Sequence, residues 1–317
     1  MAISTTTAQI SQGDLVINTN GLPDPALSGN PLGSRRFPGN PPIVIEGYDL
    51  EYRFTYRAGQ SQDLPSPQAL TLEVLGIALN GVAIAGPASP PGPLPGTTTN
   101  PPTGFTYNRV FNEDRFGVDI CGGYCCHLTL EDDDTEFEQY RYHSGSFLVN
   151  CWGSKVIASN TYFQSSNYQG DYFRHPDGHS KIVGYCFDGY PIYGPFGYRT
   201  PSDPRSEPIK MRSSYRPFPS PRIGRESNYS QIPPGTYIQD FEYVENLGTL
   251  DQYNGRYTKT PDYPTGTYAY FLALDKQNRP VYPYIFGKET RKTRDCSCVG
   301  TDDHDHEHDD HDHEHDD

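Results

Sequence analysis

Four histidines lie in the body of the chain, His127, His143, His175 and His179, and six more, His304, His306, His308, His311, His313 and His315, alternate with carboxylates near its end. Neutral imidazoles joined by a carboxylate suit a divalent metal. Three such ligands with one open position would acidify a bound water for hydrolysis. His127, His143 and His179 with Asp188 or Asp119 form one candidate set, whose convergence would have to come from tertiary structure. The competing reading is histidines hydrogen-bonded inside a Tyr-rich core. In the terminal stretch the six imidazoles interleave with ten acidic residues, so many weak chelates for zinc, copper, nickel or calcium exist there, each able to rebind. Below a pKa of about 6.5, protonation would cancel six of those ten negative charges.

Other chemistry is less well supported. Ser144 and Ser146 follow His143, but no strand-turn-helix elbow surrounds them. Asp188 and Asp251 stand beside Asp-Gly and Asn-Gly turns, where a carboxylate bonds nearby N–H groups. Seven cysteines leave one over if the rest pair. Cys125-Cys126 is vicinal and Cys296-Ser-Cys298 too tight for a zinc knuckle, so disulfides formed in an oxidising medium are the expectation.

The elements that must position these groups are strands. Ile182 to Phe187 runs into Asp188-Gly189 and returns as Tyr190-Pro-Ile-Tyr193, which reads as a hairpin with a tight turn. Pro191 has no N–H for a ladder, which places the return arm on a sheet edge or leaves pairing to its other face. Upstream, Gly76 to Pro87 aligns without a gap on Gly184 to Pro195, and five of twelve positions are identical: three glycines, an isoleucine and a proline. What repeats is the backbone geometry, so two pseudo-equivalent hairpins are expected in one β fold. The second copy carries Tyr185, Phe187, Tyr190 and Tyr193 where the first has Ile77, Leu79, Val82 and Ala85, and is the more plausible wall of a site. If Tyr190, Tyr193 and Tyr198 shared one exposed face they would suit a glycan.

Glycine (31) and proline (30) make about a fifth of the chain, and no window carries an apolar stripe at helical spacing. The formal charge of −15 is concentrated at the end, since ten of forty acidic residues lie in 302–317 without a Lys or Arg, leaving −5 elsewhere. Neither part offers the basic stripe that nucleic acid requires. No run of apolar residues is long enough to span a membrane, and the first residues lack the basic and apolar regions of a secretory signal.

At this point a resemblance emerges. Asn80-Gly-Val, Asp119 with Cys121-Gly-Gly123, the aromatic-His run at 140–143, Gly184 to Pro195, Leu250-Asp with Asn254-Gly-Arg256, Pro264 to Phe271 and Pro283-Tyr-Ile-Phe-Gly287 occur in the order seen in the YHYH-domain family. The resemblance spans roughly 15–287. It implies a family of secreted or surface proteins that includes structural proteins of marine cyanobacterial phages, which this chain resembles most. Two departures bear on activity: the Tyr-His-Tyr-His run is here Tyr140-Arg141-Tyr142-His143, and the family's Gly-Gly-His is Gly122-Gly123-Tyr124.

The expectation is therefore a mainly β protein, a sandwich or distorted barrel with little helix. Residues 1–14 would be a polar leader, 15–287 the domain, 288–301 a linker and 302–317 a disordered Asp/His tail. The leading function is a non-enzymatic structural protein of a virion or extracellular assembly that contacts neighbouring subunits. The alternatives are a secreted metal-dependent enzyme or metal-binding protein using His127, His143 and His179, and the Tyr-lined glycan binder.

Overall fold

The computed structural model describes residues 6–23, 47–119, 121–130, 133–148, 174–218 and 232–300, with only the backbone described at 125–130, 133–138 and 298–300. In chain order the strands are β1 (Thr6–Ser11), β2 (Asp14–Thr19), β3 (Leu50–Thr55), β4 (Gln68–Ala69), β5 (Val74–Ala78), β6 (Ala83–Ala85), β7 (Gly123–Leu130), β8 (Asp133–Tyr142) and β9 (Ile182–Cys186). They continue as β10 (Pro191–Tyr193), β11 (Phe196–Tyr198), β12 (Pro208–Lys210), β13 (Tyr215–Pro217), β14 (Phe241–Tyr243), β15 (Gly255–Thr258), β16 (Thr267–Phe271), β17 (Glu289–Thr290) and β18 (Ser297–Gly300). An α-helix, α1 (Glu113–Phe116), is a single turn closed by Gly117 in the left-handed region. No helix of the described residues is long and apolar enough to cross a membrane.

An eight-stranded mixed sheet, ordered β15-β16-β10-β9-β5-β6-β8-β7, dominates the molecule. Its order is a palindrome about the β9/β5 seam. There Gly76 faces Cys186, Ile77 faces Tyr185 and Ala78 faces Gly184, so a pseudo-twofold axis passes through the Ile77–Tyr185 pair. The flanking hydrogen bonds obey it: Leu79 N–H donates to Val183 O at 3.0 Å, and Phe187 N–H donates to Leu75 O at 2.9 Å. On each side the hairpin's return arm pairs in parallel with a tyrosine strand, Ile84 with Tyr142 and Ile192 with Tyr270. Each tyrosine strand in turn pairs antiparallel with an outer strand, Gly123 with Tyr142 and Gly255 with Tyr270. The two hairpins read in the sequence are thus parts of two complete four-stranded units. Pro191 opens β10 inside the sheet rather than on its edge, at the first strand residue, where a missing N–H interrupts least.

A second sheet, ordered β1-β2-β3-β18, lies over the two hairpin turns. Thr6 and Thr19 donate to the carbonyls of Asn80 and Gly81 at 3.0 and 3.2 Å, and Arg57 N–H donates to Gly189 O at 3.0 Å. Strict alternation in β3 turns Leu50, Tyr52 and Phe54 inward, where Phe187 packs on the last two rings at 5.4 and 5.1 Å. One apolar cluster therefore joins both sheets. The described strands form open sheets with no closed barrel, compatible with a sandwich. Residues 6–11, expected as leader, form strand β1, which pairs with β2 along its whole length. Residues 289–290 and 297–300, expected as linker, close ladders with β4 and β3.

Candidate functional site

The polar side chains of the family-like motifs meet at three kinds of place. The first is a pair of equivalent turns feeding β7 and β15. Asp119 Oδ1 accepts the N–H groups of Cys121 and Gly123 at 2.9 and 2.8 Å, and Oδ2 accepts the Tyr140 hydroxyl at 2.7 Å. Asp251 Oδ1 accepts Tyr253 and Gly255 N–H at 2.9 and 3.1 Å, and the Tyr268 hydroxyl lies 3.0 and 3.1 Å from its two oxygens. Both turns need a positive φ, met by Gly122 at 72° and Asn254 at 65°, residue types that tolerate it. Gly123 and Gly255 follow because a Cβ at either would press on the Tyr140 or Tyr268 hydroxyl. Burial raises both carboxyl pKa values and the hydrogen bonds oppose it.

The second place is the pair of hairpin turns. Asp188 is fully buried; its carboxylate accepts the Tyr270 hydroxyl at 2.5 Å, Lys292 N–H at 3.2 Å and Tyr190 N–H at 3.3 Å. Asn80, its equivalent, accepts Val82 N–H at 3.3 Å and donates to the Tyr142 hydroxyl at 3.0 Å. Burial pushes the Asp188 pKa up. Turn capping by Asp188 and Asp251, expected from the sequence, is what the chain does with both.

The third place holds the histidines, and they are apart. His143 Nδ1 donates to Gly86 O at 2.7 Å, which leaves Nε2 as acceptor for Arg109 Nη1 at 3.0 Å. Burial, then the neighbouring guanidinium, holds this imidazole neutral, with its pKa well below the ordinary value. Its equivalent across the axis is Phe271. His179, wholly buried, bonds the carbonyl of Ser180 through Nδ1 at 2.7 Å and sits among the rings of Tyr198 (4.8 Å), Tyr193 (5.1 Å) and Phe271 (6.1 Å). Burial lowers its pKa to about 4, and its buried Nε2 has no hydrogen-bond partner among the described residues. Among the described residues neither imidazole bonds a serine, threonine or cysteine side chain. Ser144 and Ser146 bond each other, at 3.0 Å.

His143, His179 and Asp188 are therefore not brought together, and among the described residues no three His, Cys, Asp or Glu side chains converge as a metal site would require. The side chain of His127, and the whole stretch bearing His304, His306, His308, His311, His313 and His315, lie outside the described residues, as do Cys151 and the side chains of Cys125, Cys126 and Cys298. The rings of Tyr190, Tyr193 and Tyr198 are buried rather than displayed on a solvent-facing wall, with hydroxyls on Asp63, on Thr260 and Asp262, and on Asp177 respectively. Hydrophobic burial of the aromatic hairpin outweighs exposure of its polar tips. His175, absent from the expected ligand set, has its Nε2 3.2 Å from Asp262 Oδ2 at the rim of this cluster. Its position four residues before His179 was the available signal.

An internally duplicated, mainly β scaffold whose motif carboxylates cap its own turns is the class of protein that this fold defines. The chain belongs to the YHYH protein family, which it matches over residues 55–283. That span contains the whole eight-stranded sheet, while β1, β2, β17 and β18 fall outside it. No curated protein and no solved structure matches the chain.

Proposed function

We propose that the chain is a non-enzymatic structural protein of an extracellular assembly, with a virion as its setting. In this reading the β scaffold packs against neighbouring subunits and the terminal histidines chelate divalent metal. The observation that carries it is the employment of the motif groups: Asp119, Asp188, Asp251 and His143 all serve internal hydrogen bonds. The virion setting rests on the resemblance to phage members. Strand β1, outside the family span and last in the order of its sheet among the described residues, presents an exposed Ile10 to a neighbouring subunit. Sedimentation velocity of the full chain across a concentration series should reveal reversible self-association that Ile10→Lys abolishes. A wild-type chain that stays monomeric throughout, or an Ile10→Lys chain that associates like wild type, would contradict this reading.

A further inference from the structure

Away from the histidines, a cavity of about 480 Å³ opens between the β13/β14 ribbon and the β17/β4 ribbon. Its volume falls in the range of small-molecule sites, and its walls combine aromatic rings with a few polar groups. Phe241 stacks on Tyr282 at 4.0 Å with planes 5° apart, and Tyr215 meets Tyr243 edge-on at 5.7 Å and Tyr282 at 5.3 Å, so the aromatic wall is held rigid from behind. Ala69, Phe218, Glu242, Gln252, Lys288 and Glu289 complete the lining.

The charges decide what could enter. Glu242 is paired with Arg216 Nε at 2.8 Å, and Lys288 Nζ is tied to Phe241 O at 2.8 Å. Glu289 balances Lys288, so the cavity has no net charge to offer an ion. The side-chain amide of Gln252 and the carboxylate of Glu289 make no hydrogen bond or ion pair within the described residues, leaving an amide and an acceptor for a ligand's hydroxyls. Electron-rich ring faces meanwhile attract weakly positive C–H groups.

We infer that this cavity binds a saccharide, a neutral ligand whose pyranose ring presents C–H groups on one face and hydroxyls at its rim. The aromatic wall takes the C–H face, and Gln252 and Glu289 take the hydroxyls. This goes beyond the structural role proposed above and does not depend on it. The full-length chain, applied to an array of defined glucose, galactose, mannose and N-acetylglucosamine oligosaccharides, should retain at least one of them. Titration of that sugar against the chain, followed by NMR, should weaken by about tenfold or more in Tyr243→Ala and in Glu289→Ala, the loss expected of a truncated anchor. Tyr243→Phe, which keeps the ring, should bind as wild type and guards against misfolding as the cause. No sugar retained, equal binding by Tyr243→Ala, or binding of choline in preference to every sugar would overturn the assignment.

Discussion

Asp188 and Asn80 occupy the same place in two hairpins, and one is an acid while the other is an amide because their tyrosines are used in opposite senses. The Tyr270 hydroxyl donates to Asp188 and accepts Arg291 N–H at 2.7 Å, whereas the Tyr142 hydroxyl accepts from Asn80. Such residues look like catalytic groups in sequence, because an Asp beside aromatic residues is equally the signature of a site. Burial separates the two readings, and burial cannot be read from residue type. His179 has a measurable consequence. Its folded pKa of about 4 lies below the ordinary 6.5, so the fold prefers the neutral ring. That preference stabilises the protein above about pH 6.5 and is lost progressively as pH falls towards 4, by about 3 kcal/mol over the window. Urea denaturation midpoints across this range should fall on acidification in wild type and fall less in His179→Phe. An identical pH dependence in the two would mean that His179 is charged in the folded state.

At the scale of elements, the close seam between β5 and β9 rests on two glycines related by the pseudo-twofold. A Cβ at Gly76 would press on the Tyr185 carbonyl, and one at Gly184 on the Ile77 carbonyl. Gly76→Ala and Gly184→Ala should therefore each destabilise by roughly 1–3 kcal/mol, and by similar amounts, as read from denaturant unfolding. A loss at one position with none at the other would show that the seam is not symmetric. The hairpins were legible in sequence because Gly76 to Pro87 and Gly184 to Pro195 keep their glycines at fixed spacing. The outer halves of the two units were not. Asp119 to Gly123 and Asp251 to Gly255 share only Asp and Gly at the ends, and Tyr140-Arg-Tyr-His143 and Tyr268-Ala-Tyr-Phe271 share two tyrosines. Tertiary pairing also let β10 enter the sheet interior despite Pro191, which strand chemistry alone favours placing at an edge.

For the whole molecule, the duplicated units and the sheet laid over their turns form one core, and the motif carboxylates are what hold its bends. Composition made the β class legible, since so many glycines and prolines leave little room for helix. It could not say which tyrosines lie inside: Tyr190, Tyr193 and Tyr198 are core, while the half-buried rings of Tyr215 and Tyr243 line a cavity. The polarity of the stretch before β2 hid a strand, because pairing along the backbone of β2 needs few apolar side chains. If Asp119 and Asp251 are structural caps, each loses two backbone hydrogen bonds and one tyrosine partner on truncation; a residue kept for function instead leaves stability unchanged or raised when removed. Equilibrium urea denaturation of Asp119→Ala and Asp251→Ala beside wild type separates these cases. Both variants should lose about 2–4 kcal/mol. A variant as stable as wild type, or more stable, would contradict the structural role and return that carboxylate to the search for an active site.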